Sequence, residues 1–153
     1  MSTKQTTKVS NSTLFQEVAE MVASGNRVEI VGKGSSMFPL IRGGKDKIVL
    51  RKVDNFSIER GNILLVKLEN GNYVLHRVKK HDTRTLILRG DGNLRNVETC
   101  KAEDVIAEAV EVIRGKKRIA KGSCSWKMYS RLSRQPHWVR RVVLALWRRV
   151  SPL

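Results

Sequence analysis

Apolar residues recur at two different periods along the chain, and the change of period divides it into helical ends and a β-rich middle. Near the start, apolar side chains recur at helical spacing: Leu14, Val18, Met21 and Val22. Thr13 and Gln16 form a capping-box pair before the pattern, and Gly25 follows it as a stop signal. The pattern predicts one amphipathic helix over about residues 14–24, preceded by a disordered polar arm at residues 1–11.

From Arg27 to Ile113 the pattern is typical of β-strands. Six short segments rich in Val, Ile and Leu are separated by turn residues: RVEIVG, DKIVLRK, NILLVKLE, YVLHRVKK, TLILRG and VIAEAVEVI. Asn70-Gly71, between the third and fourth segments, favours a type I′ turn, so those two strands are expected to form a hairpin. We therefore expect a mainly β domain over residues 12–115, built as a twisted, largely antiparallel sheet assembly.

Charge distinguishes the C-terminal part of the chain from this domain. The 153 residues suit one domain with a short appendage. The net charge is +16, and residues 114–153 contribute +12 of it, with 12 basic residues and no acidic one. Helical periodicity returns from about Ser125, is broken at Pro136, and gives an apolar face that includes Trp138, Val142 and Leu146. Residues 116–153 are therefore expected to form a basic amphipathic helical tail.

Three roles are open for this tail. Its apolar face could pack on the domain, as amphipathic helices usually do. Residues 126–150 carry three tryptophans among arginines and no acid, which also suits contact with an anionic membrane surface. Nucleic acid is the least favoured partner, because no recognised binding motif accompanies the basic stripe.

Composition excludes several classes of protein. A chain that is 41% hydrophobic and 29% charged is globular. Its longest apolar run, Val142 to Trp147, has six residues, whereas a membrane-spanning helix needs roughly 20. The polar N-terminus has no secretory h-region, and Cys100 and Cys124 match no zinc or redox spacing. We expect a cytoplasmic protein, with peripheral contact at the inner membrane face as an option, and no metal or organic cofactor.

Three segments carry candidate chemistry. In Gly32–Pro39 a strand enters a glycine bend with two hydroxyls, where a serine can expose its Oγ beside converging backbone N–H groups. His76 lies in a predicted strand, and a histidine can take a proton from a serine near neutral pH, although on an apolar strand face it is more often structural. The turn at Gly90-Asp91 offers a carboxylate that could orient an imidazole.

The order and spacing of these segments resemble the signal peptidase I-like serine peptidases, a superfamily that includes the LexA-type self-cleaving repressors. The resemblance covers about residues 14–115. Its matching boxes are Gly34-Ser35-Ser36-Met37-Phe38-Pro39, Leu75-His76-Arg77-Val78 and Gly90-Asp91-Gly92-Asn93. The chain departs from the family at Asn62, where an aspartate is usual, and in lacking a recognisable membrane anchor.

The resemblance implies the signal peptidase/LexA catalytic fold and a serine endopeptidase that processes a leader peptide or a protein. Ser36 would be the nucleophile, and His76 the general base in place of the lysine of most bacterial members. Asp91 would be the acidic partner. The backbone N–H groups of Ser36 and Met37 would bind the oxyanion. The residues expected beside the substrate are Ser35, Phe38 and Pro39.

Two other functions remain open from the sequence. The chain could be a non-enzymatic module that binds a peptide or a membrane on the same fold. It could also be a regulator that cleaves itself.

Overall fold

The computed structural model describes residues 11–150, which form one helix, a curled antiparallel sheet and two further helices. The helices are α1 (Asn11–Ala23), α2 (Cys124–Arg134) and α3 (His137–Val150). The strands are β1 (Val28–Val31), β2 (Lys47–Arg51), β3 (Ile63–Lys67), β4 (Tyr73–His81), β5 (Thr85–Arg89), β6 (Glu98–Lys101), β7 (Val105–Arg114) and β8 (Lys117–Ala120). The expected mainly β architecture is confirmed. The arm expected at residues 1–11 lies outside the described residues except for Asn11, where α1 begins.

The strands form a half-barrel in the order β1-β2-β7-β3-β4-β5-β6, and every pairing is antiparallel. The ten-residue strand β7 is central, because it pairs with β2, β3 and β8. Two strands, β6 and β8, were not among the six that the sequence pattern predicts. Because β8 precedes α2, the segment expected to be a purely helical tail begins with a strand.

The curled sheet carries a core on each face, which explains the unbroken apolar run of β3. Ile63 and Leu65 pack in one cluster with α1 and α2, while Leu64 and Val66 pack in a second cluster with β5. A strand buried on both faces is apolar throughout instead of alternating.

The hairpin predicted from Asn70-Gly71 joins β3 to β4, but its turn is not type I′. Leu68 N donates to the Asn72 carbonyl at 2.8 Å, which leaves a three-residue loop between them. Only Gly71 in this loop has a positive φ, of 83°, whereas a type I′ turn needs two such residues. The observed loop matches the three-residue class, in which glycine takes the left-handed position.

The two tail helices pack on the domain. Ser123 caps α2 by accepting a hydrogen bond from Trp126 N at 3.3 Å, and Pro136 separates α2 from α3. Trp126 and Tyr129 join the core, and Leu144 of α3 is buried. Within residues 11–150 none of the helices combines the length and the hydrophobicity needed to cross a bilayer.

Candidate active site

Ser36 lies in the turn between β1 and β2, and glycines hold this turn from two sides. Gly34 has a φ of 72°, and Gly43 packs so closely against it that a Cβ at Gly43 would overlap the Gly34 backbone. From the other side, Gly92 N donates to the Ser36 carbonyl at 2.8 Å. A Cβ at Gly90 would overlap the same carbonyl oxygen. The Ser36 turn is therefore fixed by backbone contacts that only glycine permits.

His76 is buried on β4, and its ring is held by a carboxylate from β6. The distance between His76 Nδ1 and Glu98 Oε2 is 2.7 Å. Arg77 pairs with Arg89 at the end of β5, so continuing that register by one residue sets His76 opposite Gly90. Glu98 pairs with Leu88 of β5, and its side chain reaches past the end of β5 to the imidazole. Sequence reasoning missed Glu98, since it missed the strand that carries it.

Ser36 and His76 line the same cavity, which has a volume of about 200 Å³. Phe15 of α1 and Tyr73 of β4 stack in its wall with ring centroids 4.8 Å apart. The remaining wall is largely apolar and includes Ile30, Val31 and Leu75. Since β1 is the end strand of the described sheet, an unpaired strand edge lies beside the cavity. The cavity can therefore hold an apolar, extended ligand.

The reacting atoms expected from the sequence are unengaged among residues 11–150. No hydrogen bond joins Ser36 Oγ to His76. Ser36 Oγ and His76 Nε2 have no partner among these residues, and neither atom is fully buried. The backbone N–H groups of Ser36 and Met37 also have no acceptor in this part of the chain. A hydroxyl, an imidazole nitrogen and two backbone N–H groups are thus left free around one cavity. In proteases the bond between nucleophile and base often tightens only when substrate binds.

Asp91 is not the partner of His76, which corrects the expectation from the sequence. Its carboxylate accepts two hydrogen bonds from the buried guanidinium of Arg77, Nε to Oδ1 at 2.8 Å and Nη2 to Oδ2 at 2.6 Å. Arg77 also donates from Nη1 to Ser130 Oγ at 2.8 Å, which connects β4 to α2. Asp91 therefore has a structural role, and the acid that contacts His76 is Glu98.

The three residues expected beside the substrate do not line this cavity. Phe38 and Pro39, joined by a cis peptide bond, are buried and line a separate cavity of about 50 Å³ with Trp147 of α3. The Ser35 carbonyl accepts a hydrogen bond from Phe38 N at 3.1 Å, inside the turn itself. Phe38 and Pro39 thus face the tail helices, whereas the wall of the Ser36 cavity includes residues of α1, β1 and β4.

A buried ion pair anchors the far end of the Ser36 turn. Asp46 is fully buried, which by itself raises its pKa, but hydrogen bonds from Arg114 and Arg42 outweigh burial and hold the pKa below its usual range. Arg114 Nη2 also donates to the carbonyls of Pro39 and Leu40, at 3.1 and 2.9 Å. The end of β7 therefore fixes the path of the turn after Ser36.

The turn that contains Gly90 is held from the tail. Arg140 of α3 is buried, and its Nη2 donates to the carbonyls of Asp91 at 3.0 Å and Asn93 at 2.8 Å.

Asn62, where the sequence departs from the pattern it resembles, donates from Nδ2 to the carbonyls of Phe56 and Ser57 at 2.9 and 3.0 Å. These contacts give Asn62 a structural role in closing the loop before β3.

The described residues form no group of three or more His, Cys, Asp or Glu side chains that could hold a metal ion. Cys100 and Cys124 are both free thiols. In comparisons with known proteins, no family model matches the chain and no curated protein matches it. The function must therefore be argued from the geometry of this site and from the sequence motifs.

Proposed function

We propose that the protein is a serine endopeptidase of the signal peptidase I-like type, with Ser36 as nucleophile and His76 as general base. One observation carries the proposal: Ser36 and His76 line one cavity, and Glu98 holds the His76 nitrogen that the reaction does not use. A serine, a histidine and a carboxylate in these roles form the catalytic set of serine proteases, which is recognised by geometry and not by sequence position.

In the proposed mechanism Glu98 orients His76. Its carboxylate accepts a hydrogen bond from Nδ1–H of His76, which leaves Nε2 unprotonated. Nε2 takes the proton from Ser36 Oγ as the oxygen attacks the peptide carbonyl, and the imidazolium that forms is stabilised by Glu98. His76 then gives the proton to the leaving amine, and a water repeats the sequence to release the acyl group.

The oxyanion would be bound by the turn that carries the nucleophile. The N–H groups of Ser36 and Met37 have no acceptor among the described residues. Backbone donors held in place before the reaction stabilise the charge that develops on the carbonyl oxygen without reorganising. The glycine contacts on both sides of the turn supply that rigidity.

The substrate would be a peptide or protein segment bound in extended form beside β1. An unpaired strand edge can add one more strand, so main-chain hydrogen bonds give affinity and the apolar wall selects side chains. The cavity beside this edge offers Ile30, Tyr73 and Leu75 for such contacts. Together with the sequence boxes, the curled antiparallel sheet supports assignment to the signal peptidase/LexA catalytic fold.

The reactivity of Ser36 tests the proposal. A fluorophosphonate probe should label the wild type once, and tryptic mass spectrometry should locate the label at Ser36. Ser36→Ala should abolish labelling, and His76→Ala should slow it by at least about 10⁴-fold, because the general base is lost. Ser35→Ala is the matched control, since it removes the neighbouring hydroxyl, and it should label like the wild type.

Peptide cleavage gives a second readout. The wild type, but not Ser36→Ala, should create new termini in a mixture of synthetic peptides. A wild type that cuts only its own chain, as seen in its intact mass, would make the protein a self-cleaving regulator. A folded wild type that takes no label and cuts no peptide would overturn the peptidase proposal and leave a binding module.

A further inference from the structure

Helix α3 turns much of its apolar surface outward. Four large apolar side chains recur every four residues along its exposed side, and we call them the α3 stripe: Trp138, Val142, Leu146 and Val150. They are 71%, 54%, 56% and 80% exposed, respectively. The opposite side of α3 holds buried Arg140 and Leu144, and Trp147, which stacks on Tyr129. A helix that buries an arginine and exposes a tryptophan has an apolar surface that indicates an interaction with a partner or a membrane.

Positive charge borders this stripe. Arg141 and Arg148 are exposed and seven residues apart, so they lie in one row beside the stripe, and Arg149 lies at its C-terminal end. None of these three arginines pairs with an acid among the described residues. No acidic residue follows Glu111 in the sequence. The surface is therefore apolar along its centre and basic along its border.

A basic cavity opens at the N-terminal end of the stripe. It has a volume of about 460 Å³ and is lined by Arg95, His137 and Arg141, with Asn93 and Asn96 beside them. The three basic side chains have no hydrogen-bond or ion-pair partner within residues 11–150. Arg95 comes from the loop after β5, far from α3 in the sequence. Unpaired donors around an open polar space suit a phosphate group.

We infer that the α3 stripe docks on an anionic lipid bilayer, with its apolar side chains in the interface and the basic cavity at a headgroup phosphate. A membrane interface accommodates tryptophan and aliphatic side chains next to arginines and draws basic residues to anionic lipid. A second copy of the chain would place basic border against basic border. A nucleic acid would neutralise the arginines but leave four large apolar side chains in water.

Docking through α3 would also set the position of the Ser36 site. Arg140 holds α3 to the carbonyls of Asp91 and Asn93, and the same turn bonds to the Ser36 carbonyl through Gly92. The proposed peptidase would therefore act on segments presented at the lipid surface. This last step alone rests on the proposed function, because lipid binding does not require Ser36 chemistry.

Vesicle flotation with the full chain tests the docking surface. At 0.15 M NaCl the protein should float with phosphatidylcholine vesicles containing 30% phosphatidylglycerol and not with pure phosphatidylcholine. Trp138→Ser with Leu146→Ser should weaken binding at least about tenfold, because their apolar area no longer enters the interface. Phe56→Ser is the matched control, since Phe56 is also 71% exposed but lies in the loop before β3. Ser36→Ala should bind like the wild type.

The basic cavity has its own pair of variants. Arg95→Gln should weaken binding to the anionic vesicles about fivefold, because this is about the contribution of one basic residue to binding at an anionic surface. Arg84→Gln removes an exposed arginine in the turn between β4 and β5 and should have less effect. Far-ultraviolet circular dichroism and thermal melts of all five variants check that the fold is retained.

Several outcomes would overturn the inference. One is a wild type that does not float with anionic vesicles. Another is a Phe56→Ser variant that weakens binding as much as the stripe variant does. If Arg84→Gln and Arg95→Gln weaken vesicle binding equally and the stripe variant does not weaken it, the binding comes from general electrostatic attraction and not from docking of the α3 stripe. Tight binding to duplex DNA without vesicle binding would assign the surface to nucleic acid. A concentration-dependent dimer abolished by Trp138→Ser would assign it to a second copy.

Discussion

At the scale of single residues, the site depends on two neighbours that take different carboxylates. His76 and Arg77 are adjacent on β4, and successive side chains of a strand point to opposite faces. His76 contacts Glu98 from β6, while Arg77 forms a two-bond ion pair with Asp91. The proposed base and a buried cation are therefore kept apart, and each has an acid of its own.

This separation predicts different consequences for the two acids. Glu98→Gln should lower the rate of Ser36 labelling by about 10³–10⁴-fold, because the imidazole loses the carboxylate that fixes its tautomer. Asp91→Asn should instead lower the free energy of unfolding by about 3–5 kcal/mol, because the buried Arg77 charge is left unpaired. Urea denaturation and labelling kinetics on both variants measure the contrast. The reverse pattern would make Asp91 the catalytic acid.

The sequence pointed to Ser36 and His76, which line one cavity in the structure, but not to the carboxylate that contacts His76. Ser36 and His76 lie in motif boxes whose local chemistry is visible, namely a glycine bend and a strand with an ionisable residue. Asp91 was the visible acid in a third box, and its charge is taken by Arg77. Glu98 stands in the short, mostly polar strand ETCK, which periodicity does not reveal. Only the sheet register brings it to His76.

At the scale of elements, the decisive contact is between two turns. The Ser36 turn follows β1 and the Gly90 turn follows β5, and their backbones touch because Gly90 and Gly92 have no side chains. The sequence showed Gly34 as a bend, which is a local role. Gly43 contacts Gly34 across the Ser36 turn, and Gly90 and Gly92 contact that turn from a distant segment, so no local pattern could predict these roles.

Replacing Gly90 by alanine should therefore displace Ser36. A Cβ at this position overlaps the Ser36 carbonyl, so Gly90→Ala should slow probe labelling of Ser36 at least tenfold while the protein stays folded. Gly25→Ala is the control, because Gly25 has a φ of 89° and open space around it. That variant should lose only about 1–2 kcal/mol of stability. Equal labelling of the two variants would show that the contact does not position Ser36.

At the scale of the whole molecule, the tail covers a concentration of positive charge beside the sheet. Lys79 Nζ donates at 2.8 Å to the carbonyl of Ser133, near the C-terminal end of α2, and Arg89 Nη2 donates to the same oxygen at 3.3 Å. Cations near a helix C-terminus are favoured by the partial negative charge there. The sequence showed that the tail was basic and amphipathic, but not which of its faces would be buried. That choice depends on partners such as Lys79 and Asp91 on the domain.

This arrangement predicts how stability changes with pH. Burial lowers the pKa of Lys79 from 10.5 to about 7; neighbouring arginines add to the effect, and Asp91 opposes it. Between pH 7 and pH 10.5 unfolding therefore takes up a proton at Lys79, so this group makes the free energy of unfolding rise with pH. Urea denaturation at several pH values should show a smaller rise for Lys79→Met than for the wild type. The same pH dependence in both proteins would contradict the assignment.

The buried guanidinium of Arg140 has a practical consequence for work with this protein. A version shortened to residue 135 would keep every group proposed to react, yet the carbonyls of Asp91 and Asn93 would lose their donor, and Tyr129 the ring stacked on it. Attempts to improve solubility by trimming the arginine-rich end would thus loosen the turn that supports Ser36. Single surface changes on α3 are the safer route, because they leave its inner side intact.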